Sequence, residues 1–342
     1  MQAKHTADSI LETARGFMAS RILLCGAELD IFSLVVRESL TAEQIATVKK
    51  ADLRAMTILL DALSALGFLV KSGGRYQTTP SAAELLNSEA PESILPMVLH
   101  MGAVWRNWSS ITDIVLDKTK AGMKKGGALA EDNIKAFIGA MHVVASKMAP
   151  KVVAAINPGS ARNLIDVGGA SGSYTLAFLS AASEMKATIF DLPPVIEMAR
   201  ERIQAAGLAH RVNLVPGDFY RDELPAGHDL AILSAIIHQN SPEQNETLFG
   251  KMYRCLDPGG RIVIRDHVMS PDRTEPLEGA LFAVNMLAGT AGGNTYTFEE
   301  IEAGLAAAGF TRIRQIQTMG MFSLVEGFKA HLSSVAGTQA VH

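Results

Sequence analysis

The chain has 342 residues, 48% of them hydrophobic and 19% charged, which is enough for two domains and a substantial core and places it outside the disordered classes. A formal charge of −4 gives no general attraction to nucleic acid or anionic lipid. The start lacks a charged-then-apolar signal layout and the longest apolar run, 230–237, is too short to span a bilayer, so a soluble, cytoplasmic protein with no membrane partner is expected.

From Asp8 to about Leu116 the apolar periodicity is helical and strand patterns are nearly absent. Ile10, Leu11, Ala14, Phe17, Met18 and Ile22 recur at helical spacing, and Cys25 continues an apolar helical pattern, as Cys255 does later. That setting predicts reduced core cysteines rather than a disulfide. Thr41 has the chemistry of an N-cap, with an acid two residues on. Asp52 then opens a helix carrying Met56, Leu59, Leu60, Leu63 and Leu66, stopped by Gly67. Residues 68–78 read as two short strands around Gly73-Gly74. Helix, helix and two-stranded wing predict a winged-helix unit. Its recognition-helix position, 52–66, offers only Arg54 as a base against Asp52 and Asp61, whereas reading a DNA groove needs several basic side chains on one face. The unit is therefore read as a packing or dimerisation module, with no nucleic-acid partner. The basic, glycine-rich stretch 117–127 reads as a solvated loop, and a linking helix follows over 132–156, ending near Asn157-Pro158-Gly159.

From Asn163 onward strand and helix patterns alternate, the mark of a parallel sheet covered on both faces. Strands are expected at 163–167, 187–190, 212–215, 229–234 and 261–265. The last two, 311–318 and 321–328, form an antiparallel hairpin around Met319-Gly320. The expected organisation is a helical domain over 1–116, a loop and linking helix over 117–157, and a Rossmann-like α/β domain over 158–342.

The chemistry gathers at strand ends. Asn163-Leu-Ile-Asp-Val-Gly-Gly-Ala-Ser-Gly172 runs a strand into an acid-tipped glycine turn, and a second strand ends in Asp191, nineteen residues beyond Gly172. That spacing builds a nucleoside crevice at the carboxyl ends of two parallel strands, with Gly168, Gly169 and Gly172 admitting the ligand and Asp191 accepting from ribose hydroxyls. A dinucleotide fingerprint would need glycine where Ala170 and Ser173 stand. Asp166, just before the glycines, suits a ligand bearing an ammonium and a sulfonium better than one bearing phosphates. The crevice is read as an S-adenosylmethionine pocket. Gly217-Asp218-Phe219 ends a third strand, where Asp218 can accept from the adenine amine and Phe219 can stack on its ring. His238, at the end of the fourth strand, has a suitable character for removing a phenol proton, and Asp266, ending the fifth, can orient its ring. The nine histidines show neither paired helical spacing nor His-Cys clusters, so no metal site is expected.

These motifs, in this order, resemble the caffeic-acid-type O-methyltransferase family of plants and its bacterial relatives. The likeness extends from Arg15-Gly-Phe-Met-Ala-Ser-Arg-Ile-Leu-Leu24 through the wing, Asp166 to Gly172, Phe190-Asp-Leu-Pro193, Gly217 to Phe219 and His238 to Leu256-Asp-Pro-Gly-Gly260. It implies a class I methyltransferase sheet preceded by a dimerisation domain, an obligate homodimer, and transfer of a methyl group from S-adenosylmethionine to a hydroxyl of a small aromatic metabolite, leaving S-adenosylhomocysteine. It also implies that Leu192 and Ser234 join the cofactor site, and that Met141, His142, Met286, Thr290 and Trp105 line an acceptor pocket between the two halves, with Trp108 nearby. The chain departs from the plant pattern at Gln239, Ser234 and Thr295, which stand where the family carries an acid, a lysine and a second acid. With fewer carboxylates around His238, two other readings stay open: S- or N-methylation of a small molecule, and a non-catalytic ligand-binding homologue.

Overall fold

Two compact units divide the chain after Arg106. The computed structural model describes residues 5–116 and 131–331, so the loop expected at 117–127 lies outside the described residues. The first unit opens with α1 (Ala7–Arg15), α2 (Phe17–Glu28) and α3 (Ile31–Leu34), followed by β1 (Leu40–Thr41), α4 (Ala42–Lys49) and α5 (Leu53–Ala65). The wing strands are β2 (Leu69–Ser72) and β3 (Arg75–Thr78), after which come α6 (Pro80–Leu85) and α7 (Leu95–Trp108). Thr41 caps α4 through a reciprocal pair with Gln44, and Asp52 caps α5 by accepting from the Ala55 amide at 2.8 Å. The two-residue β1 joins the wing antiparallel to β3, giving the order β1-β3-β2. Ile31, Phe32, Ile45, Leu60, Leu63 and Tyr76 fill this unit's core.

The second unit continues with α8 (Ile111–Val115), α9 (Glu131–Ile156), β4 (Asn163–Val167), α10 (Ser173–Ala181), β5 (Lys186–Asp191) and α11 (Pro193–Ala205). Next are β6 (Val212–Pro216), β7 (His228–Ser234), α12 (Pro242–Cys255), β8 (Leu256–Asp266), β9 (Val268–Met269) and α13 (Leu277–Gly289). The last elements are β10 (Tyr296–Thr297), α14 (Phe298–Ala307), β11 (Thr311–Met319) and β12 (Phe322–Phe328). Seven strands form one sheet in the order β11-β12-β8-β7-β4-β5-β6. Of its neighbouring pairs, only those involving β12 are antiparallel, as the expected terminal hairpin requires.

Strand order reverses at β4, whose neighbours are β5 on one side and β7 on the other. The loops after β4 and β7 therefore leave in opposite directions and open a crevice at the strands' carboxyl ends. One face of the sheet packs on α9 and α10 through Val152, Val153, Phe178 and Val263, and the other on α12 and α14 through Leu248, Phe249, Ile264 and Leu305. Both cysteines carry free thiols, Cys255 buried and Cys25 half-buried. Among the described residues no helix is long and apolar enough to cross a membrane.

Candidate active site

The two glycine-bearing segments, after β4 and β6, meet the end of β5 at the crevice. The Gly168 amide donates to the Phe190 carbonyl at 2.8 Å and the Gly217 amide to the Asp191 carbonyl at 2.9 Å, which ties the ends of β4, β5 and β6 together. Gly168 has φ +68°, and a Cβ there would lie 2.4 Å from Ile236 Cδ1 and 3.8 Å from Phe219 Cε1. That contact brings the turn after β4 against the turn after β7 and against the predicted adenine-side aromatic. Gly169 is bare because the Asp166 carboxylate folds over it; an added Cβ would sit 2.8 Å from Asp166 Cγ. Gly172 has φ +75° and caps α10.

Asp166 is 1% exposed, and its Oδ2 accepts from Thr175 Oγ1 at 2.7 Å. Burial, with the nearby Asp191 charge adding to it, pushes its carboxyl up to about 6 despite the Thr175 hydroxyl. Asp191 accepts from the Ala170 and Leu192 amides at 2.8 and 2.7 Å, and burial raises its carboxyl too, against those two amides. Neither acid is ion-paired among the described residues. Two desolvated carboxylates without a counter-cation fit a positively charged ligand and repel a pyrophosphate, so the donor set suits S-adenosylmethionine. Leu192, half-exposed, follows Asp191 at the start of α11. Beyond β6, Asp218 Oδ1 caps the Tyr220 amide at 2.9 Å and the Phe219 and Tyr220 rings lie 4.5 Å apart.

His238 sits in the single 3₁₀ turn Ile237–Gln239 after β7. Asn245 Nδ2 donates to the Ile237 carbonyl and the Asn294 amide to the His238 carbonyl, both at 2.9 Å. Its Nδ1 lies 2.8 Å from Asp266 Oδ1, which also accepts the His267 amide at 2.8 Å. Burial would raise the Asp266 carboxyl, but the His238 ring and His267 outweigh it and hold it below its ordinary value. An ionised Asp266 can only accept, so His238 Nδ1 carries the hydrogen and, in the neutral ring, Nε2 keeps a free lone pair. The Phe282 ring meets His238 edge-on, with centroids 4.8 Å apart.

The remaining predicted residues scatter. Met286 is buried on α13, and the Thr290 hydroxyl bonds the Met286 carbonyl at 2.7 Å while accepting the Gly293 amide at 2.8 Å. Met141 is half-buried on α9. His142 Nδ1 reaches Ser173 Oγ at 2.9 Å and Ser171 Oγ at 3.3 Å, so its polar contacts are with the end of the glycine turn. Trp105 stacks at a tilt on Phe17, 6.0 Å away within the first unit, while Trp108 Nε1 donates to Asn285 on α13 at 3.0 Å. Ser234 accepts weakly from Arg265 at 3.4 Å. Sequence reasoning missed Thr175, Asn245, Asn294, His267 and Phe282, all of which act through contacts distant in sequence or between neighbours with no periodic signature. Two open cavities, of about 400 Å³ around His210 and Lys186 at the opposite ends of the strands and about 770 Å³ around Met269 and Met321, lie away from the glycine turn. Charge and turn geometry, not cavity size, locate the site.

Comparison with known proteins places nearly the whole chain among relatives of one family. Residues 118–311 match the model of an O-methyltransferase domain and residues 11–88 that of an O-methyltransferase dimerisation domain. The chain is 30% identical to a 3-hydroxy-5-methyl-1-naphthoate 3-O-methyltransferase of Streptomyces sahachiroi, over 94% of this chain and 95% of the relative. It is 28% identical to an 8-O-methyltransferase of tetracenomycin polyketide synthesis from Streptomyces glaucescens, over 94% and 96%. Human N-acetylserotonin methyltransferase, solved with S-adenosylmethionine, superposes with a TM-score of 0.81 at 25% identity, covering 96% of this chain and 99% of that one.

Proposed function

The chain belongs to the O-methyltransferase family, and from that premise we propose that it methylates a hydroxyl on a small aromatic metabolite, with His238 as general base. The observation that carries the proposal is the 2.8 Å His238–Asp266 contact on the turn after β7, whose Ile236 packs against the glycine turn that carries Asp166. Asp166 and Asp191, with Gly168, Gly169, Gly172, Leu192 and Ser234, would hold the amino-acid and ribose parts of S-adenosylmethionine; Gly217, Asp218 and Phe219 would hold its adenine. When bound, that cofactor supplies an electrophilic methyl carbon on a positively charged sulfur. His238 Nε2 takes the proton from the acceptor hydroxyl as its oxygen becomes the nucleophile, and Asp266 stabilises the imidazolium that forms. Met141, Met286 and Thr290 are proposed to line the acceptor side, joined by His142 from the resemblance.

The supported ring argues for an oxygen acceptor over a thioether or amine, which needs no such base. The naphthoate and tetracenomycin relatives support an aromatic acceptor. The helical half, taken as 1–116, is proposed to build a homodimer, which the dimerisation-domain match supports. The test is His238→Gln, assayed against a panel of phenolic acceptors with labelled methyl donor. Turnover should fall by about 10² to 10⁴ with S-adenosylhomocysteine affinity unchanged. Full turnover at both pH 7 and pH 9.5 would remove the base role.

A further inference from the structure

Arg265 is a buried cation. It is 3% exposed at the carboxyl end of β8, and among the described residues it forms no ion pair. Its Nη1 reaches Ser234 Oγ at a long 3.4 Å, its Nη2 reaches the Met148 sulfur at 3.6 Å, and its Nε has no hydrogen-bond partner. The guanidinium lies 3.7 Å from the centre of the Phe322 ring and 5.6 Å from that of Tyr174, whose own buried hydroxyl is near Ser234 but makes no hydrogen bond of normal geometry. Stacking on Phe322 recovers part of the lost solvation, but five donors served by one weak hydroxyl and a thioether leave a guanidinium far short of its ordinary complement. Burial accordingly lowers its pKa. An uncompensated buried charge is strongly destabilising unless something supplies the opposite charge.

Position narrows what that something is. Side chains alternate across a strand, so Arg265 shares a face of β8 with Val263, which packs toward α9 and α10, while Asp266 shares the other with Ile264, which packs toward α12 and α14. Arg265 is thus on the face of the helix that starts at the glycine turn, opposite the His238–Asp266 pair. Tyr174, in the first turn of that helix, is under the electrostatic influence of both Arg265 and Asp166. The Arg265 guanidinium lies 5.6 Å from the Tyr174 ring and Asp166 accepts from Thr175, the next residue, so a cation and an acid stand at one helix turn, an arrangement suited to a zwitterionic amino acid.

We propose that Arg265, assisted by the Tyr174 and Ser234 hydroxyls, receives the carboxylate at the amino-acid end of the cofactor, while Asp166 serves its ammonium. This rests on the reading of the crevice as an S-adenosylmethionine site. Arg265 is a recognition residue here, remote from the proton transfer at His238.

The experiment is titration calorimetry of the full chain and of its Arg265→Gln and Arg265→Lys variants. The probes are S-adenosylhomocysteine, its decarboxylated analogue, and 5′-methylthioadenosine, which lacks the whole amino-acid end. The wild type should bind S-adenosylhomocysteine about 10- to 100-fold more tightly than the decarboxylated analogue, the range expected for hydrogen bonds to a charged group. Arg265→Gln should erase that difference and leave 5′-methylthioadenosine binding unchanged, which also shows that the variant is folded; Arg265→Lys should keep part of it. Equal wild-type affinity for the carboxylated and decarboxylated ligands overturns the proposal even if Arg265→Gln does not fold. So does an intact preference in Arg265→Gln, including the case where only the acceptor KM rises, which would assign the guanidinium to a carboxylate on the acceptor. If the wild type binds none of the three adenosyl ligands, the cofactor reading itself has failed.

Discussion

Burial sets the Asp166 carboxyl at about 6, and that single value fixes a pH dependence. Between the ordinary carboxylate value and about 6 the ligand-free folded state holds a proton that the unfolded chain has released, so this group's contribution to stability fades as pH rises through that window. A cationic ligand against Asp166 favours the ionised form, so binding between pH 4 and 6 should release a proton. S-adenosylmethionine affinity is therefore expected to weaken about tenfold from pH 7 to pH 5, read by calorimetry in buffers of different ionisation enthalpy. Asp166→Asn should flatten the profile; a wild-type profile already flat would show that Asp166 does not face the cation. Asp266 has the opposite sign. Its depressed carboxyl contributes stability above the ordinary carboxylate range, lost as pH falls through its folded value. Sequence could single out Asp166, Asp191 and His238 because each lies at or just beyond the carboxyl end of a strand. It could not single out Arg265 and His267, since they differ from a solvated arginine and a loop histidine only in what surrounds them.

The turn that carries His238 depends on Gly293, fifty-five positions later in sequence. A Cβ on Gly293 would lie 2.5 Å from the His238 carbonyl oxygen and 2.6 Å from Thr290 Oγ1, so the loop after α13 can close on the catalytic turn only without a side chain. Gly293→Ala should push that turn away from Asp266. The expected result is a fall in turnover of about tenfold or more with S-adenosylhomocysteine affinity retained, since a displacement of about 1 Å at a reacting group can be worth up to 10² in rate. Unchanged turnover would show that the loop absorbs the methyl group. Helix starts were readable at this scale: Thr41 and Asp52 cap where their chemistry predicts. Strand ends were less so. The strand expected at 261–265 begins at Leu256, and Gly259 and Gly260 exchange backbone hydrogen bonds with Lys329, a residue some seventy positions away. The two-residue strands β1, β9 and β10 exist only through their partners and are too short to leave a periodic pattern.

For the whole molecule the outward face of α1 and α2 carries the next expectation. Ile10, Leu11, Phe17 and Met18 are 57%, 47%, 49% and 53% exposed, an apolar surface within or beside the segment that matches the dimerisation domain. Sedimentation velocity should find a dimer at micromolar concentration, and Ile10→Asp with Met18→Asp should shift it toward monomer; a wild-type monomer would remove the homodimer proposal. The sequence by itself determined the longer strands of the sheet, the two-stranded wing, the glycine turn, the acids at strand ends and the change from helical to alternating periodicity at Asn163. These are local properties, fixed by the preferences of a few consecutive residues. Tertiary structure decided which face of the sheet each strand-end side chain joins, that Asp266 supports His238 while its neighbour Arg265 forms no ion pair among the described residues, and that Ile236 and Phe219 close on Gly168. Such outcomes depend on burial and on pairings across long sequence separations, where desolvation rather than residue type sets the charge, the pKa and the role of a group.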